Sequence, residues 1–276
     1  MTADEDLFDV FGTGEMNEQV DPELLLGAIG LDDEEIAWRK EFIGFDDDDI
    51  QRLRELEPLF RENREEIADR FYENLIAHDE TLRVFNRSPK KINELKKTQE
   101  AYLVTLATGD YDREYFRNRV RIGKLHFMLD MPMKQYMGQY GVYYDLILNV
   151  LNEELQDQVI DSIEEWVDEE VDGSGSGGGF LGLGGGGGGD EVVMDALEET
   201  VRESIDSGMM YILAVMKAIN LDMQIASDAY IYSYKQQLER TIDRQESIAE
   251  TINEQTDQDV SQPNLAEEIS DILDNR

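Results

Sequence analysis

Residues 115–132 read YFRNRVRIGKLHFMLDMP, and their apolar side chains follow the three- and four-residue spacing of one helix face. The stripe comprises Tyr115, Phe116, Val120, Ile122 and Phe127. Pro132 ends the pattern, because the residue before a proline avoids helical backbone angles. Helical periodicity extends outward over residues 32–171 and 191–254, without the alternation that marks strands. The sequence therefore predicts an all-α protein.

The chain of 276 residues is predicted to have three parts. Residues 1–30 are acidic and weakly periodic, which predicts a flexible tail with one short helix. Residues 31–240 form one helical domain, in which Pro58 predicts a break or kink in a helix and residues 79–86 are predicted as a short turn or 3₁₀ element. Residues 241–276 form a helical or coiled-coil extension and a tail. A Gly-rich insertion at 172–190 holds twelve of the 22 glycines. It lacks the Lys and Ser or Thr of a phosphate loop, so a flexible linker is expected there.

The net charge of −38 restricts the possible partners. Nucleic-acid binding depends on Lys and Arg that neutralise phosphates, and an anionic membrane surface would repel this chain. We therefore expect neither nucleic acid nor membrane as a partner. Concentrated salt screens repulsion between like charges, so the composition is typical of a halophilic organism with a salt-rich cytoplasm.

The chain contains no cysteine, which excludes disulfides, thiolate metal sites and cysteine nucleophiles. Its first residues lack the basic and apolar regions of a signal peptide, and a cytoplasmic location is expected. The most apolar stretch, Met209 to Leu221, is too short to span a bilayer. We interpret it as a buried helix.

Several kinds of site find no support in the sequence. With 63 acidic residues, carboxylate pairs occur at any spacing by chance, and a Glu-x-x-His motif is absent. Asp46 to Asp49 lacks the spaced ligands and the glycine of an EF-hand, and four carboxylates at a helix start favour a capping role. A Ser-His-Asp triad would need a Gly-x-Ser-x-Gly motif after a strand. The motif occurs only inside the Gly-rich insertion, without a preceding strand, so we reject a hydrolase of this type.

His126 is the sharpest candidate for chemistry, because the chain has only two histidines. It lies four residues after Ile122 on an apolar helix face. A neutral imidazole surrounded by apolar groups is the environment that a haem iron needs. A buried histidine satisfied by a hydrogen bond is the structural alternative, and spacing alone leaves both open.

Four motifs carry a family resemblance: Phe71-Tyr-Glu-Asn-Leu75, Leu95-Lys-Lys-Thr98, Arg119-Val-Arg-Ile-Gly-Lys-Leu-His126 and Pro132-Met-Lys-Gln-Tyr-Met-Gly138. In this order they resemble the sensor domain of globin-coupled sensors, in particular haem-based aerotactic transducers. Residues 38–45 resemble the extra N-terminal helix of that family, and residues 218–225 its last globin helix. The resemblance covers about residues 34–240 and implies a globin-like fold with an extended C-terminal helix, so that 31–240 would be a globin sensor domain.

The resemblance also implies haem b as cofactor and O₂ as its ligand. It makes His126 the proximal iron ligand, with Ile122 beside the haem and Tyr136 near the histidine. Tyr72 and Thr98 are placed on the distal side, where hydroxyls can donate a hydrogen bond to O₂. As alternatives, Tyr72 belongs to the ordinary core and Thr98 bonds back to its own helix.

The implied function is a non-enzymatic oxygen sensor that dimerises and passes its ligation state to a chemotaxis-type signalling partner. Two other hypotheses stay open at this point. A haem enzyme of the peroxidase or dioxygenase type would need a distal general base. A haem-free acidic interaction module would need only the surface charge and the apolar heptad positions of residues 231–252.

Overall fold

The computed structural model describes residues 14–173 and 189–260. Within these ranges the chain forms ten helices and no strand, which confirms the all-α prediction. The helices are α1 (Glu15–Glu18), α2 (Pro22–Ile29), α3 (Asp33–Phe42), α4 (Asp47–Glu55), α5 (Glu57–Ile76), α6 (Asp79–Phe85), α7 (Ile92–Thr108), α8 (Arg113–Met128), α9 (Met133–Gly173) and α10 (Gly189–Val260).

The centre of the fold is the packing of α5 against α7 and α9. Large side chains in the core are completely buried, among them Phe60, Leu103, Leu106, Phe116, Ile147 and Ile219. Burying each such side chain contributes about 1.5–3 kcal/mol, so these positions dominate the stability of the helical unit. The segment Met209 to Leu221, interpreted as a buried helix, is buried on one face only: Ala214 and Ile219 are enclosed, whereas Met209 is exposed.

The acidic run at residues 46–49 caps a helix, as predicted. The Asp46 carboxylate accepts the backbone N–H of Asp49 at 3.1 Å, and the Asp49 carboxylate accepts that of Asp46 at 3.1 Å. This reciprocal capping box begins α4. The ammonium of Lys217 on α10 also donates to Asp49 at 2.7 Å, so the cap ties α10 to α4. The run therefore stabilises the fold through hydrogen bonds and charge.

The short helix predicted within residues 1–30 is confirmed as α2, which packs against α8 and completely buries Leu26. The sequence did not predict this packing, because a periodic pattern of eight residues does not indicate a partner surface. The assignment of residues 1–30 as a separate tail stays a prediction, and residues 1–13 lie outside the described residues. One prediction on local structure needs correction. Residues 79–86, expected as a turn or 3₁₀ element, form the α-helix α6.

The chain divides into two compact units, and the boundary in the sequence lies between Tyr230 and Ile231. In the second unit, apolar side chains are exposed along the described part of α10: Ile231, Leu238, Ile242 and Ile252. They occupy the predicted heptad positions. The predicted boundary at residue 240 stays a prediction, and most of the Gly-rich insertion lies outside the described residues.

One described helix is long and apolar enough to cross a membrane by length and composition. It is the Met194–Asn253 part of α10, and 44% of its most apolar window is buried inside the protein. The core helix of a soluble protein passes the same test, because burial in a protein also demands apolar side chains.

Candidate functional site

A cavity of about 490 Å³ lies between α7 and α8, with further walls from α1 and α5. This volume falls within the range of cofactor sites, about 300–1,000 Å³. A second cavity of about 70 Å³ shares five of its lining residues: Tyr72, Gln99, Tyr102, Ile122 and His126. Four predicted site residues line the larger cavity, and Tyr136 lines the smaller one. The fold therefore brings together five residues that are up to 64 positions apart in the chain.

The His126 ring is held in one orientation by its own helix. Its Nδ1 atom lies 2.8 Å from the backbone carbonyl oxygen of Ile122. A carbonyl only accepts, so Nδ1 carries the proton and Nε2 keeps its lone pair in the neutral ring. Burial lowers the pKa of His126, although the bond to Ile122 opposes that shift. The ring is thus neutral at pH 7 and can coordinate a metal through Nε2.

Tyr136 packs directly on this histidine. The two ring centroids are 4.9 Å apart, with the planes at 64°. The Tyr136 hydroxyl lies 3.2 Å from the hydroxyl of Tyr140, so hydrogen bonding fixes the far end of the ring. The contact restricts rotation of the imidazole and places Tyr136 beside His126, where the resemblance located it.

Tyr72 lines both cavities and is buried. Its ring contacts Phe71 and Phe85, at centroid distances of 5.3 and 5.5 Å. Burial raises the pKa of Tyr72 far above its ordinary value, so the hydroxyl stays protonated. No residue in the described ranges forms a hydrogen bond with that hydroxyl, and it remains available to donate to a molecule in the cavity.

Thr98 lines the larger cavity, but its hydroxyl is engaged. It donates to the backbone carbonyl of Glu94 at 3.0 Å and accepts from the ammonium of Lys90 at 3.4 Å. The bond to its own helix is the arrangement that the sequence left open as an alternative. Of the two predicted donors, only Tyr72 therefore has an unengaged hydroxyl proton within the described structure.

Two cations line the larger cavity, and sequence reasoning missed both. Burial lowers the pKa of Lys90, and burial together with repulsion from Arg117 lowers that of Arg121. Neither forms an ion pair with any described residue, and the Arg121 Nε atom is buried without a partner. The sequence carries no signal for them, because the cavity that they line and the lack of an ion-pair partner are properties of the three-dimensional structure.

The cavity fits haem by this chemistry. A porphyrin needs a neutral imidazole below its iron and apolar walls around its ring, and it carries two carboxylates at one edge. His126 offers the imidazole, and Leu95, Ile122 and Leu125 offer apolar wall. Lys90 and Arg121 offer positive charge for the carboxylates. Within the described residues no cluster of His, Asp and Glu forms a separate metal site.

Comparisons with known proteins agree with this architecture. The Protoglobin family matches residues 32–167. The heme-based aerotactic transducer HemAT of Halobacterium salinarum is 31% identical over 244 residues, which are 88% of this chain and 42% of HemAT. The chain thus spans about two fifths of the length of that relative.

A solved globin domain of a Geobacter sulfurreducens globin-coupled sensor has 21% identity and a TM-score of 0.48, over 70% of this chain and 96% of that domain. The name of HemAT describes a sensory transducer rather than an enzyme. The family match and the identity to HemAT confirm the resemblance noted in the sequence, and the globin fold with it. Residues 32–167 of this chain therefore match the protoglobin family.

Proposed function

We propose that this chain is an oxygen sensor that binds haem b in the cavity between α7 and α8. The observation that carries the proposal is the pairing of His126, whose Nε2 is free to coordinate, with the unengaged Tyr72 hydroxyl on the wall of the same cavity. Haem iron supplies a position at which O₂ binds reversibly. The residues around it determine which ligand stays bound.

On the proximal side, His126 is proposed to hold the iron. The Ile122 carbonyl keeps its proton on Nδ1, and the Tyr136 ring limits its rotation. A hydrogen bond at the second nitrogen raises the basicity of a ligating imidazole. These two contacts prepare the histidine before the cofactor arrives.

On the distal side, Tyr72 is the proposed donor to O₂. Its hydroxyl is buried, protonated and without a competing partner in the described structure. Hydrogen bonds are stronger at low local dielectric, so one well-placed donor discriminates O₂ from the less polar CO. Thr98 is proposed as a weaker contributor, because its proton already bonds the Glu94 carbonyl.

Lys90 and Arg121 are proposed to bind the haem carboxylates. Both cations are partly buried and unpaired within the described residues, and a carboxylate would relieve that cost. Charge-assisted hydrogen bonds from them would fix the rotation of the haem in its plane. Lys90 lies beside the start of α1, since a Cβ atom built on Gly14 would be 3.3 Å from the Lys90 Cε atom.

Signalling is proposed to pass along α10 in a homodimer. The part of α10 that belongs to the first compact unit exposes apolar side chains, including Met209, Met210 and Leu213. They form an apolar surface suited to a second copy of the chain. HemAT is named an aerotactic transducer, and by analogy we propose a chemotaxis-type partner for this chain. A cytoplasmic location completes the proposal, and the charge of −38 supports the absence of contacts to membrane or nucleic acid.

An absorption spectrum of the reconstituted protein tests the proposed function. The purified full chain is supplied with haem, reduced, and recorded under argon and then under air, with repeated cycling between the two gases. We expect a Soret band that shifts with O₂ and returns under argon. Protein without a Soret band would support the haem-free interaction module instead. Peroxide turnover well above that of free haem would support the enzyme hypothesis.

A further inference from the structure

A buried carboxylate joins three helices next to the cavity. Asp222 on α10 is 2% exposed. Its Oδ2 accepts the hydroxyl of Tyr102 on α7 at 2.6 Å, and its Oδ1 accepts the hydroxyl of Tyr115 on α8 at 2.7 Å. The Nε of Arg119, also on α8, donates to Oδ1 at 3.1 Å. We call Asp222 with these three donors the Asp222 cluster.

The charges in the Asp222 cluster hold its geometry. The Arg119 guanidinium lies between two tyrosine rings, 4.3 Å from the Tyr102 centroid and 4.4 Å from the Tyr115 centroid. Burial opposes the charge of Arg119, but the Asp222 carboxylate and the hydroxyls of Tyr115 and Tyr102 together outweigh it and raise the pKa of Arg119 well above its usual value. Burial raises the pKa of Asp222, and Arg119 together with the two hydroxyls opposes that shift. Removal of one partner from a buried ion pair strongly destabilises a protein, so the Asp222 cluster holds α7, α8 and α10 in a fixed relative position.

Only one of the three donors reaches the cofactor cavity. Tyr102 lines both cavities, whereas Tyr115 and Arg119 line neither. The same tyrosine thus forms cavity wall with its ring and holds α10 with its hydroxyl. The two tyrosines are otherwise alike, since both are buried and both donate to the same carboxylate.

The helix that carries His126 also touches α10 closely. A Cβ atom built on Gly123 would lie 2.9 Å from the Ala229 Cβ and 3.0 Å from the Ala226 Cα. Gly123 is three residues before His126, and Asp222 is four residues before Ala226. On α8 this contact therefore lies within one helical turn of His126, and on α10 it begins about one turn after Asp222. Two helices packed this closely can shift relative to each other only between a few discrete arrangements, so α8 and α10 can act as a two-state element.

We propose that Tyr102 and Asp222 couple the state of the haem cavity to helix α10. This inference rests on the proposed function and adds a residue-level connection to it. A ligand-dependent change at the cavity wall moves the Tyr102 ring, and the Tyr102 hydroxyl transmits that movement to the Asp222 carboxylate. Tyr102 and Asp222 are positioning residues, because neither ligates the iron in this proposal. A ligand shifts an equilibrium only through contacts that differ between its two states, and Tyr102 supplies such a contact.

The matched tyrosines provide the test. Hydrogen exchange of the haem-loaded, ferrous full chain is compared under argon and under air for the wild type, Tyr102→Phe and Tyr115→Phe. In the wild type we expect exchange of α10 amides around Asp222 to differ between the gases by about fivefold, a modest coupling between sites. Tyr102→Phe should abolish that difference, whereas Tyr115→Phe should keep it. The Soret band of each variant verifies equal haem loading.

A structural role alone would give a different pattern. Both variants remove one buried hydrogen bond from the same carboxylate, so a purely structural cluster predicts equal effects. Equal loss of the gas-dependent difference, or its persistence in Tyr102→Phe, overturns the proposal. A haem-loaded wild type whose α10 exchange ignores O₂ also overturns it while the haem proposal stands. A wild type that binds no haem overturns the proposed function itself.

An infrared measurement on the unmodified protein covers the case in which Tyr102→Phe does not fold. The difference spectrum between air and argon should contain a shifted carboxylate band from a buried aspartate, which ¹³C labelling of the aspartates distinguishes from the two haem carboxylates. Asp49 is the other buried aspartate among the described residues, and it lines neither cavity. A difference spectrum without any carboxylate band overturns the coupling.

Discussion

The Nδ1 atom of His126 lies 2.8 Å from the carbonyl oxygen of Ile122, one helical turn earlier. This bond assigns the ring proton without any second side chain, because the helix carbonyl can only accept. Ile122 therefore acts through its backbone as well as through the side chain that lines both cavities. A residue chosen for its apolar side chain on the helix face also determines the tautomer of the proposed iron ligand.

Removal of the Tyr72 hydroxyl should weaken O₂ binding selectively. For Tyr72→Phe we expect O₂ to dissociate about tenfold faster, which corresponds to the loss of one strong hydrogen bond of about 1.4 kcal/mol. CO dissociation should change little, because CO accepts hydrogen bonds poorly. Rapid-mixing kinetics with both gases measures the two rates. Thr98→Val is the matched control, and its effect on O₂ should be smaller because the Thr98 proton already bonds the Glu94 carbonyl. Equal acceleration of O₂ and CO in Tyr72→Phe would contradict the proposed donor.

Replacement of Arg121, one of the two cations that line the larger cavity, should weaken haem binding. Arg121→Gln keeps the length of the side chain approximately and removes its charge, so we expect haem loss to accelerate by about tenfold, equivalent to about 1.4 kcal/mol. Transfer of haem to an excess of apomyoglobin measures the rate. Arg117→Gln is the control, since Arg117 lines neither cavity and pairs with Glu114 at 2.9 Å. If both variants lose haem at the same rate, Arg121 does not bind the cofactor.

The close approach of α8 and α10 at Gly123 predicts that a larger side chain there lowers the free energy of unfolding. Gly123→Ala places a methyl group 2.9 Å from the Ala229 Cβ, and such overpacking costs about 1–3 kcal/mol. The better helix propensity of alanine offsets about 1 kcal/mol at most, so the free energy of unfolding should fall.

Gly138→Ala is the matched control for that variant. Gly138 lies within α9, and nothing stands within 4 Å of an added Cβ. Here the propensity gain acts alone, and stability should rise by up to about 1 kcal/mol. Denaturant unfolding of both variants gives the comparison. A stabilised Gly123→Ala would show that the two helices are not in the contact described.

The large negative charge predicts a requirement for salt. The net charge of −38 favours the unfolded chain at low ionic strength, because expansion relieves repulsion. Between about 0.1 M and 2 M KCl the melting temperature should rise by more than about 2 °C, which is about 1 kcal/mol for a chain of this size. Calorimetry in KCl and in potassium sulfate at equal ionic strength separates screening from salting-out. A melting temperature independent of salt would contradict the halophilic interpretation.

Helices and caps could be predicted from the sequence because their signals are local. The stripe around Val120 gave α8, and the acidic run beginning at Asp46 gave a capped start of α4. Pro58 marked the break between α4 and α5, where proline occupies the first turn of the new helix. All three signals are read from neighbours within one or two helical turns.

Long-range pairings left no such signal. Asp222 is one of 63 acids, and only the fold reveals that Tyr102, 120 residues earlier, donates to it. Arg121 has the same difficulty, since its lack of a described ion-pair partner is a property of three-dimensional packing. The burial of Leu26 against α8 likewise depends on tertiary contact. Five residues that line the two cavities were predictable, whereas the contacts that support them were not.

The ferrous absorption spectrum of His126→Ala tests the central claim most directly. We expect the wild type to give the spectrum of a five-coordinate haem with a histidine ligand. His126→Ala should lose that spectrum, and added imidazole should restore it by occupying the space of the missing side chain. A His126→Ala protein that keeps the wild-type ferrous spectrum without imidazole would contradict the assignment of His126 as the iron ligand.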